Sequence, residues 1–335
     1  LFHGPTLAFK DVGARFMSRC LGYFLKNETR KVTVLVATSG DTGGAVANGF
    51  YDVEGIEVVI LYPKNRVSPV QEKQLTALGK NIHALEVNGS FDDCQALVKQ
   101  AFSDESLNEK LLLTSANSIN VARWLPQQIY YVLALKQWLK NNSENPVICV
   151  PSGNFGNICA GILAHHRGLP VEHFIAACNV NDVVPEYLRT EILKPKETVA
   201  TISNAMDVGD PSNFVRILEL FEKEFNQVKN KLSGYTIDDE ETLKTIERVE
   251  KDYGYVLDPH GAVAFVALEK YLAENGGKGF FLETAHPVKF PDSVEKATGK
   301  SVEIPKSLEE LMKQGKFTTE INPQYEELKE FLLKK

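Results

Sequence analysis

The chain has 335 residues, 43% of them hydrophobic, enough to bury two cores of ordinary domain size. Lys and Arg number 37 against 44 Asp and Glu, a net charge of −7, which argues against a nucleic-acid or membrane-surface binder and favours a small-molecule partner. No apolar run is long enough to span a bilayer, no charged-then-apolar leader opens the chain, and five scattered cysteines (Cys20, Cys94, Cys149, Cys159 and Cys178) make no paired-ligand motif; a soluble cytoplasmic protein with free thiols and no metal is expected.

Short β-branched runs at 31–37, 57–62, 83–87, 111–114, 147–150, 174–177 and 279–283 alternate with helical patterns at 91–102, 121–138, 212–225, 239–251 and 261–273. A strand run followed by a helical stretch, repeated many times, signals βα units and an α/β fold built on largely parallel sheets. The polar stretch 141–146 breaks a helix before a new strand, which predicts a boundary between a smaller α/β domain, 1–140, and a larger one, 141–335. The charged end, 306–335, alternates its signs at helical spacing and reads as a solvated closing helix. Leu1 is not a start residue and the first ten residues already carry a dense motif, so a segment preceding residue 1 is expected.

Two loops echo each other. Ser39-Gly40-Asp41-Thr42-Gly43 and Ser152-Gly153-Asn154-Phe155-Gly156 each follow a β run and each enter a helix of small residues. Glycines let a backbone approach a ligand closely, and amides at the following helix N-terminus attract an anion, so one anion cradle per domain is implied. Glycine turns after strands often only close a βα unit, and one such loop alone would carry little weight. Neither loop has the G-x-G-x-x-G spacing of a dinucleotide site or the Gly-Lys-Ser/Thr of a nucleotide-triphosphate loop, leaving a smaller phosphorylated ligand.

The segment Phe2-His3-Gly4-Pro5-Thr6-Leu7-Ala8-Phe9-Lys10-Asp11 sets a lysine behind an apolar pair where a helical pattern starts. An ammonium there loses hydration, so its pKa should fall toward the neutral amine that attacks an aldehyde. Taken singly, a lysine is most often a surface residue.

This segment resembles the cofactor-lysine motif of the threonine synthases, fold-type II pyridoxal-phosphate enzymes. The likeness continues through 37–43, Asn117-Ser118-Ile119-Asn120-Val121-Ala122-Arg123, 153–157, Ser203-Asn204-Ala205-Met206-Asp207 and Glu283-Thr284-Ala285-His286-Pro287, nearly the whole chain. It implies two open parallel-sheet α/β domains, similar to the tryptophan synthase β chain, with pyridoxal 5'-phosphate in the cleft between them and bound as an imine to Lys10. It further implies that Gly153, Asn154, Phe155, Gly156 and Asn157 hold the cofactor phosphate through backbone amides and that Thr284 hydrogen-bonds the pyridine nitrogen. Ser39, Asp41, Thr42 and Gly43 resemble the substrate-carboxylate loop, with Asp41 also beside the cofactor. Asn117, Ser118 and Arg123 resemble a clamp for the substrate phosphate, a task suited to the two-pronged guanidinium. A carboxylate facing a substrate carboxylate would repel it, so Asp41 should be protonated or turned toward another donor. The implied reaction is O-phospho-L-homoserine and water to L-threonine and phosphate, the last step of threonine biosynthesis, in a monomer. The alternatives are another fold-type II lyase, such as a threonine dehydratase, which needs no second phosphate clamp, and a non-catalytic protein that binds anions or amino acids. His286 is as well explained by packing as by chemistry.

Overall fold

The computed structural model describes every residue except Asn27, Thr29 and Lys335. In chain order its strands are β1 Val32–Ala37, β2 Ile56–Pro63, β3 Ile82–Val87, β4 Leu112–Ser115, β5 Val147–Pro151, β6 His173–Cys178, β7 Leu232–Thr236, β8 Gly279–Phe281 and β9 Thr318–Ile321. β1 reads Val-Thr-Val-Leu-Val-Ala with every residue buried. Such a run, apolar on both faces, belongs at the centre of a sheet covered by helices on both sides.

The chain forms two compact units. One contains His3–Arg123 and Ile304–Lys335, around a five-stranded sheet in the order β4-β1-β2-β3-β9, with every pair parallel. Val34, Val36, Ile60, Ala47 and Phe50 pack on one face of this sheet, and Leu35, Leu61, Leu85, Leu97 and Leu328 on the other. The second unit contains Leu1–Phe2 and Trp124–Glu303, around a parallel four-stranded sheet in the order β7-β6-β5-β8. No helix among the described residues is long and apolar enough to cross a membrane. All five cysteines are free, four of them buried.

The boundary differs from the one expected at 141–146, because the units divide at Arg123/Trp124 and the chain end returns to the first of them. β9 pairs in parallel with β3, and Ile321, Leu328 and Leu332 enter that unit's core. The charged end is therefore two helices, Lys306–Lys313 and Tyr325–Leu333, around an edge strand, rather than one solvated helix; its last residue, Lys335, lies outside the described residues. Edge strands tolerate charge, which hid β9 from a periodicity reading. The helix expected over 121–138 is interrupted at Pro126 by a 3-10 turn, Leu125–Gln127, since proline lacks the amide a continuous helix needs. The pattern at 212–225 divides into Phe214–Leu220 and Phe225–Lys231, with Glu222 and Lys223 at positive φ between them.

Leu35 is wholly buried in the central strand, whereas Leu139 is 48% exposed. Leu35→Ala should cost about 2–5 kcal/mol in urea unfolding and Leu139→Ala about 0.5 kcal/mol or less; equal effects would contradict the packing described.

Candidate active site

In each unit the strand laid down fourth returns to the free side of the first: β4 joins β1, and β8 joins β5. The loops leaving those neighbouring strands diverge, and open parallel sheets bind ligands in the crevice so formed. Every residue predicted for the site lies on these loops or on a helix tied to them.

In the first unit the loop after β1 carries Ser39 and Gly40, and the helix Asp41–Phe50 then continues through Thr42 and Gly43. Thr38 Oγ1 accepts from the Gly40 amide at 2.9 Å and the Gly43 amide at 2.8 Å. A hydroxyl thus already occupies part of the first expected anion cradle. Asp41 is buried, and its Oδ1 accepts from Gln71 Nε2 at 2.9 Å. Gln71 is itself fixed, because its Oε1 accepts from the Ser68 amide at 3.1 Å in a capping box that starts the helix Pro69–Thr76. Asp41 is therefore turned toward another donor, one of the two outcomes its charge required.

The loop after β4 is tied to β1, with Asn117 Nδ2 donating to the Ala37 carbonyl at 2.9 Å. Ser118 lies next to it, half-buried, before the short helix Val121–Trp124. Arg123 is 2% exposed and donates to the Ala116 carbonyl, which rules out a helix-surface arginine. Lys10 opens the helix Lys10–Phe24, half-buried, with its Nζ 5.8 Å from the Phe9 ring centroid. The turn before it is held from inside: Asp11 accepts from the Thr6 hydroxyl at 2.5 Å and the Thr6 amide at 3.0 Å, and Gln74 Nε2 donates to the Thr6 carbonyl at 3.0 Å. A Cβ on Gly13 would collide with the Arg123 carbonyl, so the lysine's helix lies directly against the arginine's segment.

In the second unit the loop after β5 enters the helix Gly156–His166 through Phe155, a buried residue at φ 59. A bulky side chain in the left-handed region is uncommon and persists only where packing dictates it. Here the ring meets Phe214 edge-on at 5.5 Å, while Asn154 Oδ1 accepts from the Ser212 amide and the Asn154 carbonyl accepts from Asn213 Nδ2, each at 2.8 Å. Gly153 touches the 203–207 segment, since a Cβ on it would stand 2.6 Å from Met206 Cα. Among the described residues no side chain caps this helix. Asn157 is buried in its first turn, with Nδ2 lacking a partner among the described residues. Uncapped amides, a glycine too crowded for a side chain and an unpaired buried N–H donor together suit a phosphate, so the cofactor's anionic group fits here. Thr284 is buried three residues beyond β8, the strand beside β5.

A buried relay that motif reading missed runs from the loop after β8 to the 203–207 segment, against which Gly153 lies. The Ala205 amide donates to His260 Nε2 at 3.2 Å, which leaves the ring proton on Nδ1, where it meets Asp258 Oδ1 at 2.5 Å. The Asp258 amide donates to Glu283 Oε1 at 3.0 Å. Asp258 caps the helix Pro259–Asn275, so Asp-Pro-His-Gly announced a helix start, but nothing in the sequence pointed His260 at Ala205.

The pyridoxal-phosphate dependent enzyme family matches residues 1–280, which defines the class, and the C-terminal region of threonine synthases matches residues 261–332. The chain is 48% identical to the threonine synthase of Buchnera aphidicola subsp. Acyrthosiphon pisum, over 100% of this chain and 77% of that protein. The crystal structure of threonine synthase from Escherichia coli superposes with a TM-score of 0.92 at 47% identity, over 100% of this chain and 77% of that one. The crystal structure of PLP-bound threonine synthase from Brucella melitensis gives 0.90 at 37% identity, over 99% and 76%. The chain belongs to the threonine synthase family, and its cofactor is pyridoxal phosphate.

Burial first, and then the charge of Asp258, push the Glu283 carboxyl well above its ordinary range. The folded chain keeps a proton there that the unfolded chain releases, so this group makes folding less favourable as pH rises above the ordinary carboxylate value, by up to about 1.4 kcal/mol per unit. Glu283→Gln should flatten that slope between about pH 5 and about pH 7 in urea unfolding; an unchanged slope would mean that Glu283 is ionised in the fold.

Proposed function

We infer that the chain converts O-phospho-L-homoserine and water to L-threonine and phosphate, as a pyridoxal-phosphate-dependent carbon–oxygen lyase. The observation that carries this reading is a family match over the whole of this chain, supported by two parallel sheets that each have a switch point. Bound pyridoxal phosphate supplies an electron sink that lets protons leave carbon atoms beside the substrate nitrogen.

The chain's own residues supply the rest. Lys10 would hold the cofactor through its aldehyde, and its amine, when free, would move protons at the substrate's α and β carbons. The 153–157 amides and Asn157 Nδ2 would hold the cofactor phosphate, and Thr284, a neutral hydroxyl, would serve the ring nitrogen without the charge that keeps it protonated. Ser39, Thr42 and Gly43 receive the substrate carboxylate. Asp41, held by Gln71, turns its charge aside. Asn117, Ser118 and Arg123 bind the substrate phosphate, and burial strengthens the arginine's pull on that group. This second clamp favours a phosphorylated substrate over the hydroxy amino acid of a dehydratase.

Borohydride reduction of the cofactor-loaded protein should attach the cofactor irreversibly to Lys10, found by peptide mapping. Lys10→Ala should lower kcat about a thousandfold or more. Arg123→Ala should raise KM for O-phosphohomoserine while leaving the Lys10 label in place. A label on another lysine would sink the first assignment, and unchanged turnover of the phosphorylated substrate the second.

A further inference from the structure

Asn157 bears one amide group with two opposite ends, and only one end suits an anion. With Nδ2 forward it donates to a phosphate oxygen; with Oδ1 forward it repels one. Rotation about the terminal bond of an asparagine is soft, so something must fix the choice before the ligand arrives. Tyr131, on the helix Gln128–Trp138, stands behind this amide, and its hydroxyl lies 2.9 Å from both Asn157 Oδ1 and the Asn157 carbonyl. Both of those atoms are acceptors and the phenol carries one proton, so it donates a single hydrogen bond shared between the carbonyl and Oδ1.

The ring is wholly buried and meets Phe174 edge-on at 6.2 Å. It presses on the helix that carries Asn157, where a Cβ on Gly161 would stand 2.5 Å from the phenol's Cζ. Burial, with Cys159 and Tyr130 nearby, raises the phenol well above its ordinary range, so it keeps its proton at any working pH. Its position is thus set by packing and its role as donor by chemistry. The outcome is visible at the far end of the amide, where Nδ2 is buried and without a partner among the described residues.

We propose that Tyr131 is a positioning residue for the cofactor phosphate, its hydroxyl holding Asn157 Oδ1 so that Nδ2 is presented to the anion. This rests on the reading of 153–157 as the phosphate cup. Its effect passes through Asn157, at the side-chain amide and at the carbonyl, and favours a ligand that carries the phosphate.

The test uses the full chain freed of cofactor and titrated with pyridoxal phosphate or with pyridoxal, which lacks the phosphate. Tyr131→Phe keeps the ring and its packing. It should weaken pyridoxal phosphate about tenfold, the effect of an unsatisfied buried hydrogen-bonding group, and change pyridoxal by about twofold or less. Asn157→Ala should lose a similar factor, and adding Tyr131→Phe to it should cost less than Tyr131→Phe costs alone, because only the hydroxyl's bond to the residue-157 carbonyl is then left to lose. Equal weakening of both ligands by Tyr131→Phe, or an unchanged affinity for pyridoxal phosphate, overturns the proposal. If the wild-type chain itself fails to prefer pyridoxal phosphate over pyridoxal, the cup reading falls and the proposal falls with it.

Discussion

The strand order constrains everything else in this protein. When a parallel sheet grows outward from its first strand and then adds a strand on that strand's other side, right-handed crossovers carry the two connections to opposite faces. The loops after β1 and β4, and likewise after β5 and β8, cannot stay together, and carbonyls and amides at the strand ends are left facing the gap. Both units use this device. Each unit then fills the gap differently, and the difference follows from a few side chains.

Thr38 and Asn157 illustrate the divergence. After β1, a threonine hydroxyl accepts two amides of its own loop, and Gln71 neutralises the demand of the buried Asp41 carboxylate. Two of that loop's amides and its buried carboxylate already have partners within the protein. After β5 the helix start has no such cap, and a buried amide nitrogen is left over. Buried polar groups without partners are rare because they cost stability, and they persist where a ligand completes them. The two glycine loops look alike in sequence and differ in electrostatic state.

Much of the fold was legible because interior strands of parallel sheets are apolar on both faces: β1, β2 and β5 stand out as runs of Val, Ile, Leu and Cys. β7 and β9 lacked that signal, being Leu-Ser-Gly-Tyr-Thr and Thr-Thr-Glu-Ile at sheet edges, where one side needs no apolar cover. With β9 unseen, the return of the chain end to its first unit was unseen too. At the site, contiguous motifs were readable from short sequence windows, whereas partners distant in sequence were not. Gln71 lies 30 residues from Asp41, His260 lies 55 from Ala205, and Tyr131 lies 26 from Asn157. None of these pairs has a spacing that helix or strand periodicity would flag.

The relay from Glu283 through Asp258 and His260 to Ala205 shows why such distant partners matter. The loops after β5 and β8 leave adjacent strands, yet the sheet's own hydrogen bonds stop at Leu282 and Ser152. Beyond those residues the backbone is held by side-chain hydrogen bonds, from the Ala205 amide to His260 and from the Asp258 amide to Glu283. Burying two carboxyls and an imidazole is costly, and keeping Glu283 protonated lowers the cost by removing one charge from the interior. The histidine fits between a carboxylate and an amide because one ring nitrogen donates while the other accepts, which a lysine ammonium, a donor only, could not do in that place. Rigidity at this switch point is therefore supplied by side chains where the sheet no longer supplies it.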